Sequence, residues 1–299
     1  LISSMNKYYT RACNFYYGKQ SRNLIKKNKA LPLCGNLNIS FNQLEIFIRK
    51  KNKIISKFIN IKDIKSQNIE LRNKIRKDIK KITSKKTFFN KPTLMGILNM
   101  TPDSFSDGGK FNDSKSASKK IISMINSGAE IIDIGGESTR PGSKTISSKL
   151  EWRRIHKIVK SFKKKYPNIF LSIDTRKSQV MKKSIKYKAD IINDVSSFDH
   201  DKDSIEIVKK NNVWKIIHHM QGTPQTMQIN PKYRNVLLEI YDLFDNKIKT
   251  HFKRKRDHKI ILDPGIGFGK NLKHNLMIIN KISLFHSLGF PILIGTSRK

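Results

Sequence analysis

The sequence predicts an α/β fold: a (β/α)₈ barrel of the TIM type, cut short after its seventh strand and preceded by an N-terminal extension. Three observations carry this. From Pro92 onward, short apolar runs alternate with segments at helical spacing, the pattern of a parallel sheet with crossover helices. The alternation repeats seven times in register before the chain ends at Lys299, with the last helix absent. Run after run closes on a polar or charged residue, the layout of a barrel whose site lies on its carboxyl face. An open doubly wound sheet is the alternative. It gathers its ligand at one switch point, whereas functional-looking residues follow at least six of these strands.

Residues 1–90 stand apart as a Lys-rich extension with no catalytic constellation. Aromatics come early (Tyr8, Tyr9, Phe15, Tyr16, Tyr17), a candidate strand covers 39–41, and a helix is expected around 43–49. Ile54, Ile55 and Phe58 stand at helical spacing, and so, more loosely, do Ile69, Ile75 and Ile79. The segment reads as a small helical appendage or a partly disordered piece. Its basic 70–86 run reads as a solvated face rather than a nucleic-acid surface.

The barrel, residues 91–299, opens with strand 94–98, ending in Asn99. A long polar loop with a Pro and two Gly follows at 100–109. Helix 116–127 shows Ile121, Ile122, Met124 and Ile125 on one face, and Gly128 marks its end. Strand 130–134 carries Asp133 and runs into Gly135-Gly136-Glu137-Ser138-Thr139-Arg140-Pro141-Gly142. That loop gathers hydroxyls, a guanidinium and backbone N–H groups, a mixture suited to an anion, because Arg offers a planar donor fork to phosphate oxygens. Helix 149–165 precedes strand 170–173, which ends in Asp174-Thr175-Arg176. Helix 178–186 leads to strand 189–192 and Asn193-Asp194, and helix 204–211 to strand 213–217 and His218-His219. Helix 231–251 leads to strand 260–262 and Asp263-Pro-Gly-Ile-Gly-Phe-Gly-Lys270. Helix 275–288 leads to strand 290–294 and Gly295-Thr-Ser-Arg-Lys299.

Asp174, Asn193 and Asp263 each close an apolar strand. Acceptors converging on one cavity suit a flat nitrogen heterocycle that donates from ring N–H and amino groups, although helix capping accounts for any one of them alone. Gly265-x-Gly-x-Gly269 has neither the P-loop nor the dinucleotide spacing. His218 and His219 point to opposite faces of a strand, so a shared metal is not expected and structural roles are. Asn99 is a neutral oxygen donor of the kind Mg²⁺ accepts beside a diphosphate.

At 299 residues the chain can bury a large core. Its net charge is +38, but Lys is spread over almost every segment, which reads as compositional drift rather than as a nucleic-acid groove. Two cysteines, Cys13 and Cys34, lack any metal spacing and suggest a reducing cytoplasm. No apolar run is long enough for a membrane span, and the start lacks a signal-peptide pattern.

Residues 96–109 and 135–142 resemble the two signature loops of the dihydropteroate synthase family. Ser172-Ile-Asp-Thr175, Ile192-Asn-Asp194, His219-Met-Gln-Gly222, Asp263 to Lys270 and Gly295 to Lys299 resemble its remaining motifs, in the same order. The resemblance covers about residues 92–299. It implies a TIM barrel that joins dihydropterin diphosphate to 4-aminobenzoate, giving dihydropteroate and diphosphate in folate synthesis. It further implies that Asp174, Asn193, Asp263 and Lys299 hold the pterin and that Asn99 binds Mg²⁺. Ser138, Thr139 and Arg140 would meet the diphosphate. Phe105, Pro141, Phe268 and Ser297 would form the aminobenzoate pocket, where sulfonamides compete. Asp174, Arg140 and Lys299 are the expected catalytic groups, and a homodimer through outer helices is the expected assembly. The family's basic Arg-x-His motif on the eighth strand lies beyond the end of this chain, so a missing closing unit is expected. Two other readings stay open: a pterin-binding methyltransferase domain, and a nucleic-acid-binding protein built on the Lys-rich 50–86 run.

Overall fold

The computed structural model describes residues 6–51, 53–101, 114–138, 142–253 and 259–296. Contacts divide the chain into two units. The first holds residues 1–90, 234–242 and 276–292, the second residues 91–233, 243–275 and 293–299.

The first unit is built on an antiparallel sheet. Strand β1 (Lys7–Tyr17) is followed by helix α1 (Gly18–Lys26), then β2 (Leu31–Leu33), β3 (Asn36–Lys50) and β4 (Lys53–Asn60). β3 pairs with all three other strands. The helix expected at 43–49 is therefore strand, and so is the 54–58 run. Leu44, Ile46 and Ile48 alternate with Glu45, Phe47 and Arg49, and that two-residue period uses both faces of a strand. One face packs Tyr8, Ala12, Phe41, Leu44 and Ile46 against Leu71, Ile75 and Ile82 of helix α2 (Ile69–Thr83). Asn68 caps that helix by accepting from Leu71 N–H. The 70–86 run is thus largely an amphipathic helix with a buried apolar stripe. The opposite face of the sheet carries charge. Buried Glu45 accepts from Arg11 and Lys281 at 2.7 and 2.6 Å. Asp242 accepts from Lys7 and from the Tyr9 hydroxyl.

Among its described residues the second unit holds six parallel strands: β5 (Leu94–Asn99), β6 (Ala129–Gly135), β7 (Phe170–Asp174), β8 (Ile191–Asp194), β9 (Trp214–His218) and β10 (Ile260–Asp263). Their spatial order follows their sequence order. A doubly wound sheet would reverse at a switch point; this one does not, and its winding is TIM-barrel-like. The crossovers are α3 (Ser114–Asn126), α4 (Ser148–Lys165), α5 (Ser178–Lys186), α6 (Ser204–Lys210) and α7 (Val236–His251), and α8 (Leu272–Asn280) follows β10. Strands covered on both faces read as unbroken apolar runs. Accordingly Ile132, Ile134, Leu171, Ile173, Ile191, Ile192, Ile216, Ile217 and Leu262 are all fully buried. Each contributes about 1.5–3 kcal/mol.

Two helices start or stop elsewhere than the sequence suggests. α7 begins five residues late because Asn235 caps it, its side chain accepting from Leu238 N–H while its own N–H donates to Glu239. The segment expected to be one helix over 275–288 breaks after α8 and continues as a 3₁₀ turn, Ile282–Leu288. Strand 290–294 is reduced to a single bridge residue, Ile292, with Leu293 N–H donating to Leu262 O at 2.9 Å. Pro291 has no N–H to extend the ladder. Among the described residues no helix is long and apolar enough to cross a membrane.

Candidate active site

The carboxyl ends of the strands place their polar residues in register. Asn99 lies opposite Gly135, Gly135 opposite Asp174, and Asp174 opposite Asn193. These residues share one face of the sheet, and Asp133 joins them from two residues below Gly135. The Asn193 side-chain amide donates to Asp133 Oδ2 at 2.9 Å, a diagonal contact across β7. Asp133 Oδ1 and Asn193 Oδ1 are buried and have no hydrogen-bond partner among the described residues. A buried acceptor without a donor is costly, and a ligand that brings donors would relieve that cost.

Gly135 brings two further oxygens together. A Cβ there would stand 3.3 Å from Asp174 Oδ2 and 3.6 Å from Asn99 Oδ1. The absent side chain leaves a small space flanked by a carboxylate and an amide oxygen. Burial pushes the Asp174 carboxyl well above the usual range, and the neighbouring Asp133 charge adds to it. Burial likewise raises Asp133, while the Ser172 hydroxyl and the Asn193 amide beside it work against the rise.

The next glycine sets the angle of the following loop. A Cβ on Gly136 would lie 2.8 Å from Glu151 O and 3.0 Å from Ile155 Cγ2, so only glycine lets α4 approach this closely. Glu137 then roots the loop. Its Oε2 accepts from Arg176 Nε and Nη2 at 3.1 and 3.0 Å. Its Oε1 lies 2.9 Å from Lys177 Nζ and accepts from Ile146 N–H at 3.1 Å. Lys177 also reaches Glu151 at 2.7 Å. Burial pushes Glu137 up, but the Lys177 and Ile146 hydrogen bonds and the two cations outweigh it and hold the carboxyl below its ordinary value. Ser138 O accepts from Ser143 Oγ at 2.6 Å, which ties the two described ends of the loop together.

On the far side, Asp263 lies opposite His218. Asp263 Oδ1 accepts from Gly265 N–H at 2.8 Å, leaving Oδ2 on the side of His218, 4.0 Å from Nε2. The His218 ring meets Phe268 edge-on, with centroids 4.7 Å apart. His219 is turned elsewhere. Lys270 Nζ lies 3.0 Å from His219 Nδ1 and donates to the carbonyls of His219, Gly265 and Phe268 at 2.8–3.1 Å. This cage locks the loop after β10 to the loop after β9. Burial and the Lys270 charge hold His219 well below its usual pKa. The glycine-rich loop is thus pinned by its own lysine.

The structure therefore brings Asn99, Asp133, Asp174 and Asn193 onto one face, with Asp263 and Phe268 at the end of the last strand and Ser138 at the loop root. Phe105, Thr139, Arg140, Pro141, Ser297 and Lys299 lie outside the described residues. Two features take roles that the sequence reading did not give them. One is the ionic root of Glu137, Arg176, Lys177 and Glu151, signalled only by charged residues directly after two strand ends. The other is His218, which shares the ligand-facing side with Asn193, because Ile216 opposes Asn193 and His218 follows two residues later. Among the described residues no group of three or more His, Cys, Asp or Glu side chains is placed to hold a metal.

The family described as "Pterin binding enzyme" matches residues 95–299. The chain is 42% identical over 209 residues to the dihydropteroate synthase of Escherichia coli K12, a match that spans 70% of this chain and 73% of that relative. A crystal structure of Yersinia pestis dihydropteroate synthase in a sulfonamide complex superposes with a TM-score of 0.65 at 39% identity, covering 70% of this chain and 75% of the other. The Clostridium difficile enzyme, solved in the presence of pteroic acid, superposes with a TM-score of 0.64 at 37% identity over 72% of this chain and 79% of the other. Strand order, acceptor row and relatives agree: this chain belongs to the dihydropteroate synthase family of pterin-binding enzymes, transferases of folate biosynthesis.

Proposed function

We propose that the carboxyl face of the second unit condenses (7,8-dihydropterin-6-yl)methyl diphosphate with 4-aminobenzoate. The observation that carries the site assignment is the acceptor row, in which two buried oxygens, Asp133 Oδ1 and Asn193 Oδ1, have no hydrogen-bond partner among the described residues. A pterin ring carries N–H and amino groups that supply them. Pteroic acid, present with the Clostridium difficile relative, contains both halves of the expected product.

In this reading Asp174, Asn193 and Asp263 accept from the pterin, with Asp133 orienting Asn193. The methylene C–O bond breaks, diphosphate leaves, and the aminobenzoate nitrogen attacks the methylene carbon and then loses a proton. The carbon becomes cation-like along the way. Asp174 answers this directly: burial makes its negative form costly, and a positive centre beside it recovers that cost. Phe268 walls the aminobenzoate subsite. Ser138, Thr139 and Arg140 take the diphosphate, Lys299 the pterin, and Phe105, Pro141 and Ser297 the aminobenzoate. These roles rest on the motif resemblance.

Mg²⁺ fits the oxygens flanking Gly135. It takes one or two protein oxygens and otherwise binds phosphate and water, and Asn99 Oδ1 is such a donor. When bound, the ion would neutralise charge on the departing diphosphate. Residues 1–90 belong to this proposal as an extension ahead of the 91–299 catalytic domain, since the family match begins at residue 95. A homodimer and a cytoplasmic location complete it, the first carried by the family resemblance and the second by two free thiols, Cys13 and Cys34.

The test is diphosphate release from the two substrates with Mg²⁺, for wild type and Asp174→Asn. Release by the wild type and its loss in the variant supports the assignment. A folded protein, carried through the closing unit that the resemblance implies, that binds pterin but releases no diphosphate overturns it in favour of the methyltransferase-like reading.

A further inference from the structure

His218 has no part in the reaction as assigned above, yet it stands between two of its subsites. The imidazole is 3% exposed. Its Nδ1 lies 3.2 Å from Val195 O. A carbonyl only accepts, so Nδ1 carries a proton toward it and Nε2 is the ring nitrogen on the side of Asp263. That atom faces Asp263 Oδ2 at 4.0 Å, the oxygen not used by the turn at Gly265. The ring edge faces Phe268. The loop passes close to this strand end: Gly265 sits at φ +66°, and a Cβ there would stand 2.0 Å from His219 O and 3.0 Å from His218 Cε1 and Nε2. The backbone of His218 is held separately, its carbonyl accepting from Ser197 Oγ.

We propose that His218 is a positioning and specificity residue shared by the two substrate subsites. This rests on the assignment of Asp263 to the pterin and Phe268 to the aminobenzoate. Nε2 borders the edge of the pterin beside Asp263, completing a pair of polar atoms that fixes how the bicyclic ring lies. The same imidazole fixes the Phe268 ring and so the aminobenzoate wall. One side chain then couples the orientation of the two reactants, which a condensation between them requires.

The two halves of the role separate by substitution in the full chain. His218→Phe keeps an aromatic ring against Phe268 but removes the nitrogens. It is expected to raise KM for dihydropterin diphosphate about tenfold and leave KM for 4-aminobenzoate within about twofold. His218→Gln keeps polar atoms near Asp263 but removes the ring. It is expected to do the reverse, raising KM for 4-aminobenzoate about fivefold. Calorimetric titration with dihydropterin diphosphate alone reads the first effect without turnover: weaker binding by His218→Phe than by His218→Gln supports the proposal. The same binding and the same two KM values in both variants and wild type would sink it, including when thermal melting shows both variants less stable, since that is a merely structural role. A wild type that binds the pterin but does not turn over refutes the assigned reaction, and the titration still decides His218.

Discussion

Asp194 offers a sharp test of how burial shapes this sheet. It ends β8 one residue after Asn193, so it points to the opposite face from the ligand row. The residue is fully buried. Its Oδ1 accepts from Ser196 N–H at 2.7 Å and from Ser196 Oγ at 2.6 Å, while Oδ2 has no hydrogen-bond partner among the described residues. Burial pushes the carboxyl up to about 6, although the two Ser196 hydrogen bonds pull it down. The native state therefore holds this proton more tightly than the unfolded chain, whose Asp titrates near ~4. Its contribution is fully present below about pH 4 and is lost as pH rises to about 6, a loss of about 3 kcal/mol at about 1.4 kcal/mol per pH unit. Asp194→Asn keeps an oxygen for Ser196 and removes the titration. Urea unfolding should be followed by Trp fluorescence from pH 4 to 7.5, because the chain's two tryptophans, Trp152 and Trp214, both lie in the second unit. The stability difference between wild type and variant should shift by about 3 kcal/mol across that window, against the wild type at the high end. Both KM values should stay within about twofold, since a surface away from the ligand is altered. Parallel stability curves, or a wild type that gains on the variant as pH rises, would refute the argument.

Other expectations follow from single interactions. Asp174→Asn should lower kcat/KM by at least about 10²-fold while the protein stays folded, checked by steady-state kinetics beside circular dichroism. Gly136→Ala places a methyl 2.8 Å from Glu151 O and should cost about 1–3 kcal/mol in denaturant unfolding. Glu45→Gln leaves Arg11 and Lys281 without their shared carboxylate. Lys281 is still partly in water, so the loss should be about 2 kcal/mol rather than that of a fully buried pair, read as a lower melting temperature. Lys177→Met removes the cation between Glu137 and Glu151. It should raise KM for the diphosphate substrate more than that for 4-aminobenzoate, because these two ion pairs anchor the loop after β6.

The second unit was legible because its periodicity is unambiguous. Apolar runs such as Phe170–Ile173 and Ile260–Leu262 end in a carboxylate that is costly to bury unpaired, so strand and strand end were read together. The first unit was harder for a physical reason. In β3 both faces are covered, one by α2 and the other by the charged set around Glu45, so no single apolar stripe marks the period and a short stretch passes for helix. Caps and glycine packing were also hidden. Asn235 as the start of α7 depends on Glu239 reaching back, and Gly136 on how closely α4 approaches. The His pair was read as structural on the alternation of a strand. That held for His219 in its lysine cage, but it left unseen that His218 takes the ligand side.

The distribution of charge carries one more step. The chain bears +38 overall, yet the ligand face is lined by acceptors, Asn99, Asp133, Asp174, Asn193 and Asp263. The two signs do different work. A basic exterior draws an anionic substrate from a distance without selecting its shape, and Arg176 and Lys177, just after β7, are already spent on Glu137 and Glu151. Under the assignment proposed above the acceptors select, because burial makes the charged forms of Asp133 and Asp174 costly and a donor-rich ring relieves that cost. In that reading a bound pterin favours the carboxylate of Asp174 where the reaction places a positive carbon. A site that bound the diphosphate tightly and the ring loosely would have gained affinity without that advantage, since it would stabilise substrate and transition state alike.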